Sequence, residues 1–203
     1  MSLPQEFINY VYRKRLEAVK GMVEGKLSSA EVYLEFTRTS PAVITDGPAG
    51  LSGSIKMIGF LPKEEFMDEV INEVRELIAS KSKLGMREVM SRLVGVIYRE
   101  ELLDFSRFGG LEMGFKHSWS NIKATGKATL LFFTPPVTSY EVRCDVRIHE
   151  GGKIHEYLNL IHDVFHIVGG SRSSYPAYEF IIKEIYDQSA TDEGFGRLIF
   201  RAG

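Results

Sequence analysis

The chain has 203 residues, 44% of them hydrophobic, which suits one domain (1–203) with a sizeable core. Charged residues make up 26% and the formal net charge is −2, so no strong field favours nucleic acid or an anionic membrane. Apolar runs such as Leu130–Phe133 are too short to span a bilayer, the start MSLPQEFINYVYRK lacks a signal-peptide layout, and the single cysteine, Cys144, excludes an internal disulfide framework; a cytoplasmic protein is expected.

Residues 1–39 read as helical. Over 4–24, Pro4 opens a helix, and Phe7, Ile8, Val11, Tyr12, Leu16, Val19 and Val23 form one stripe. A second helix starts at Ser28, with Glu31 placed to complete a capping box. Residues 41–150 read as a sheet core. PAVIT (41–45) and SGSIKMIGF (52–60) flank the turn-rich DGPAGL, which predicts a hairpin. Residues 62–104 interrupt the sheet as a helical insertion. Pro62 stands at its N1 position, and Phe66, Val70, Val74, Leu77 and Ile78 give the first helix an apolar face. Residues 84–104 fit a helical period through Met86, Val89, Met90, Leu93, Val94 and Ile97, although LVGVIY alone reads equally as a strand. The period favours helix.

After a break at Gly109-Gly110 come LEMGF, a short polar run and the strand KATLLFFT. SYEVRCDVRIHE then alternates cleanly, with Tyr140, Val142, Cys144, Val146 and Ile148 on one face and charges on the other. Cys144 on the apolar face reads as an inert buried thiol. Arg143 and Arg147 read as part of a solvated charge ladder. Residues 151–203 are predicted as a helix over 153–168, a second over 174–188, and a last strand GRLIF (196–200). Without regular β-α-β alternation the fold class is α+β.

The run KHSWSNIKATG (116–126) is the best handle on function. Ser118 is a suitable N-cap and Gly126 a natural C′ residue of a two-turn helix. A helix start exposes unpaired N–H groups; here Lys116 and the Ser118 and Ser120 hydroxyls lie beside it, a set that suits one phosphate group. Helices with a serine cap and a nearby lysine also occur with no ligand. No G-x-x-x-x-G-K-[ST] is present.

The spacing Lys116-x-Ser118-x-x-Asn121-Ile122-x-x-Thr125-Gly126, followed by an apolar strand, resembles the K-x-[TS]-x-x-N-I-x-x-T-G run of flavin reductase-like proteins. These belong to the FMN-binding split β-barrel group, which includes the pyridoxamine phosphate oxidase-like proteins. AVITDGPAGLSGSIKMIG resembles the opening hairpin of the same barrels. The resemblance implies an antiparallel split-barrel sheet and FMN as cofactor. It implies contacts from Ser52, Ser54, Lys116, Ser118, Ser120 and Asn121, a small-molecule acceptor and a homodimer. The N-terminal helices and the 62–104 insertion are extra to the family pattern. Ser118 stands where true pyridoxamine phosphate oxidases carry lysine, which argues against pyridoxal phosphate synthesis.

Two other function classes stay open. A non-catalytic α+β protein that binds a ligand or itself is one. The other is a metal protein built on His155, His162 and His166. On a helix these fall at i, i+7 and i+11, within roughly 40° of arc. His162 and His166 have a chelating i, i+4 spacing, but HDVFH is not H-E-x-x-H. The plain reading of histidines bordering an apolar stripe is half-buried rings bonded to their neighbours.

Overall fold

The computed structural model describes residues 2–166 and 172–203. Eight strands form one antiparallel sheet: β1 (Ala42–Thr45), β2 (Ser52–Ile55), β3 (Ile58–Pro62), β4 (Leu103–Leu111), β5 (Lys127–Thr134), β6 (Thr138–His149), β7 (Ala177–Asp187) and β8 (Arg197–Arg201). Their order is β2-β1-β5-β6-β7-β4-β3, with β8 pairing the C-terminal half of β7. β2 and β3 stand at opposite ends of this path, yet only Lys56 and Met57 separate them. Three residue steps reach about 11 Å at most. The ends therefore meet, and the sheet curls into a barrel left open between β2 and β3. The expected second hairpin strand (52–60) is in fact these two strands, one on each side of the opening.

The barrel interior follows from strand alternation. Val43, Phe108, Leu130, Phe132, Val142, Phe180 and Ile185 are fully buried in one core. The N-terminal segment enters that core as one helical run: α1 (Gln5–Ile8), a π turn over Asn9–Arg13, and α2 (Lys14–Glu24). Phe7 makes edge-to-face contacts with Phe108, Phe132 and Tyr140 at 6.4, 6.0 and 5.2 Å. Such a fully buried ring contributes roughly 1.5–3 kcal/mol by burial alone. Helix α3 (Ser29–Phe36) begins with the expected Ser28–Glu31 capping box.

Helices α4 (Met67–Ser80), α5 (Met86–Ile97) and α7 (Gly152–His166) build a second core around Leu61, Met67, Val74, Leu93, Tyr157 and Val164. Pro62 ends β3 instead of opening α4, which starts after a 3-10 turn over Glu64–Phe66. The predicted helix over 84–104 stops at Ile97, and Leu103 already belongs to β4. Gly109 and Gly110 lie inside β4 and do not break it. A Cβ on Gly109 would sit 2.5 Å from Leu61 Cδ2 and 2.9 Å from Leu158 Cδ2, so the glycine lets α7 press onto the strand.

The expected helix over 174–188 is strand β7. It is a central strand, paired with β6 on one edge and with β4 and β8 on the other. Its first half is covered on both faces, which erases the alternation that marks a strand. The preceding helix is described as far as His166; the last two residues of its predicted span, Val168 included, lie outside the described residues. β6 keeps its predicted alternation: Arg143 bonds Glu141 at 2.7 Å and Glu184 at 3.2 Å on the outer face. Burial pushes the Cys144 thiol up, away from its reactive thiolate form. Among the described residues no helix is long and apolar enough to cross a membrane.

Candidate functional site

Helix α6 (His117–Thr125) leans on β1 and β2, and Ile122 anchors it in the barrel core. Gly126 closes it in the left-handed conformation, as its sequence position predicts. Its N-cap is Lys116 and not Ser118, and no side chain caps it. Ser120 N donates to Lys116 O, so the amides of His117, Ser118 and Trp119 make the uncapped first turn. Lys116 is exposed, and its side chain has no hydrogen-bond or ion-pair partner among the described residues. Ser120 is also exposed, one turn along.

β2 turns its side chains alternately. Leu51, Ile55 and Met57 are exposed, while Ser52, Ser54 and Lys56 face inward. Ser54 Oγ meets Ser118 Oγ at 3.0 Å, so two of the expected contact residues come together at the start of α6. Ser52 and Asn121 do not join them. Ser52 Oγ pairs with Thr45 Oγ1 at 3.1 Å. Asn121 is fully buried; its Oδ1 accepts Ala49 N at 2.8 Å, and its Nδ2 donates to Gly50 O at 2.7 Å and Thr45 Oγ1 at 3.2 Å. Its amide is thereby fully used in holding the 46–51 turn. A Cβ on Gly47 would lie 3.0 Å from Asn121 Oδ1, so this glycine is what lets the turn close on the amide.

Under the start of α6 lies a charged cluster that sequence reasoning missed. Glu112, 2% exposed, accepts Lys56 Nζ at 2.8 Å and Tyr178 OH at 2.7 Å on one oxygen. Its other oxygen accepts Gly114 N at 2.6 Å and Phe115 N at 2.8 Å. Burial pushes the carboxyl up, but the bonds from Lys56, Tyr178 and Phe115 outweigh it and hold the group below the usual carboxylate range. Burial and the adjoining Glu112 both push the Tyr178 hydroxyl up. This clamp fixes the loop that enters α6, including Phe115 at φ +51°. The signal available in the sequence was one acid, Glu112, inside the otherwise apolar LEMGF.

The donor set fits one anionic group: an unpartnered lysine, uncapped helix amides and two hydroxyls, with the Glu112 carboxylate already paired to Lys56. The helices of the insertion pack elsewhere. α4 packs on α7 and α5, and their core includes no residue of α6, β1 or β2. A cleft of about 490 Å³ opens at the other end of α6, lined by Leu51, Thr125, Lys127, Arg143 and Lys183.

His155, His162 and His166 lie elsewhere, on α7. His162 Nδ1 pairs with Ser173 Oγ at 3.0 Å, and its ring sits 4.6 Å from that of His166. His155 lines a separate cleft with Lys153, Glu156 and Asp163. Among the described residues no three metal-ligating side chains cluster.

Barrel, helical plug and the closing run 52–62 define an α+β protein with a split-barrel type of sheet. No protein-family model matches the chain, and no curated protein sequence is similar to it. Solved structures of similar fold include HupZ of Group A Streptococcus, 12% identical, covering 87% of this chain and 99% of that one with a TM-score of 0.49. A pyridoxamine 5'-phosphate oxidase-related, FMN binding protein of Nostoc punctiforme is 10% identical, with coverage of 91% and 84% and a TM-score of 0.46. An FMN-binding protein of Syntrophomonas wolfei is 9% identical, with coverage of 92% and 93% and a TM-score of 0.43.

Proposed function

We propose that the chain binds FMN, with the phosphate seated on the start of α6. The observation that carries the reading is Lys116, exposed and unpartnered, beside an uncapped helix start and the Ser54–Ser118 hydroxyl pair. Lys116 supplies a full positive charge, the first-turn amides supply aimed donors, and Ser54 and Ser118 exchange their mutual bond for bonds to phosphate oxygen. Ser120 adds a hydroxyl at the rim. Asn121 and Ser52 contribute indirectly, by fixing the turn against which α6 is set. Bound flavin supplies electron and hydride transfer to a small acceptor; the protein holds and orients it. Self-association belongs to the same reading, through the apolar row Leu51, Ile55 and Met57 on the open edge of β2.

The test is a visible absorbance spectrum of the purified protein before and after addition of FMN, with sedimentation velocity on the same sample. Retained flavin, a dimer, and about tenfold weaker binding by Lys116→Ala are expected. A protein that takes up no FMN overturns the flavin reading, and a monomer at micromolar concentration overturns self-association.

A further inference from the structure

Buried charges in this fold are answered almost everywhere. Glu112 has four donors, Glu179 is bonded by Arg107 at 2.8 Å and His149 at 2.9 Å, and Asp163 accepts Ser173 N at 3.2 Å. Arg15 is the exception. It is 7% exposed, and its Nε and Nη1 have no hydrogen-bond partner. The guanidinium lies over the Phe36 ring, 4.6 Å from the centroid. Stacking satisfies its face but not its N–H groups, which point outward in the guanidinium plane. The Tyr98 hydroxyl faces the guanidinium and is the one polar side chain that reaches it among the described residues; it is neutral, so it leaves Nε and Nη1 unbonded and the charge uncompensated. Thr39 Oγ1, one turn beyond Phe36 on the same helical run, is the other buried atom without a partner among the described residues.

A guanidinium cannot shed its proton, so burial without an anion leaves an uncompensated charge in a medium that screens it poorly. Among the described residues no carboxylate pairs with Arg15. Glu35, on the same helix as Phe36, is already held by Arg38 at 2.6 Å. We propose that Arg15 is an anion-binding residue. A small oxyanion, phosphate or carboxylate, sits where α2, α3 and the segment after α5 converge and accepts its N–H groups. This site is separate from Lys116 and does not depend on the flavin reading.

The experiment is done in Lys116→Ala protein, so that phosphate cannot report through the start of α6. Thermal unfolding is followed with added phosphate and, separately, acetate, against sodium chloride at matched ionic strength. One of the two anions is expected to raise the Tm by about 3 °C or more, and the arm that does so tells phosphate from carboxylate. The rise should vanish in Arg15→Met/Lys116→Ala, whose unliganded Tm should equal or exceed its parent's because the buried charge is gone. No rise with either anion, or the same rise in the Arg15→Met protein, overturns the proposal. Calorimetric titration of both anions into Lys116→Ala protein gives a reading that does not depend on the second variant folding. Saturable heat supports the site, and its absence for both anions overturns it.

Discussion

Glu112→Ala is expected to lower the unfolding free energy by about 3–5 kcal/mol, because removing one partner strands the other in the interior. Lys56, whose side chain is 12% exposed, loses its counter-charge. The buried Tyr178 hydroxyl loses its acceptor, and so do the Gly114 and Phe115 amides. Phe115 at φ +51° loses the bond that holds it in an unfavourable region, so the entry to α6 should shift as well. Urea unfolding of the two proteins measures the first effect. A loss below about 1 kcal/mol, the size of an ordinary surface substitution, would show that the cluster is solvated and loose.

The same carboxylate sets part of the acid limb of stability. Its folded pKa is lowered, so folding favours the ionised form. The contribution is complete above the unfolded carboxyl pKa of about 4.3 and is lost as pH falls through the lower folded value. Glu112→Gln should be less stable at neutral pH, and the gap to the parent should narrow on acidification through that window. A gap that stays constant with pH would falsify this assignment.

How far the sequence could be read depended on whether one face of each element meets water. β6 is polar outside and apolar inside, so its alternation was legible residue by residue. The Ser28–Glu31 box was legible because capping is local chemistry. β7 was read as helix because FIIKEIY carries apolar residues on both faces, a pattern compatible with either period. Gly109 and Gly110 looked like a break; Gly109 makes room for Leu61 and for Leu158 of α7, about fifty positions away, and Gly110 for the Met57 carbonyl and Ile58. At the site, spacing singled out Lys116, Ser118 and Asn121 together. It could not tell which way each points. The structure sets the first two at the start of α6 and turns Asn121 inward onto a loop more than seventy residues upstream. Glu112 and Lys56 escaped notice because their pairing joins the β2–β3 link to the end of β4, which only the curled sheet brings together.

Asn121→Leu separates a ligand role from a clamp role. If Asn121 served a phosphate, its loss would weaken flavin binding and leave the flavin-free protein as stable as before. The structure gives the opposite expectation. Leucine has similar volume but neither donor nor acceptor. It leaves Ala49 N and Gly50 O without their partner and the Thr45 hydroxyl with Ser52 alone; an unsatisfied group of this kind costs about 1–3 kcal/mol where it is shielded from water. Relaxation and water entry recover part of this, so a net loss of about 2–4 kcal/mol is expected without any flavin present. The 46–51 turn should also become the first site of limited proteolysis, since Asn121 is the one α6 side chain bonded to it. Lys116→Ala, an exposed change, should stay within about 0.5 kcal/mol of the parent in the same assay. A stable, protease-resistant Asn121→Leu protein that has lost only flavin would return Asn121 to the phosphate and refute the clamp.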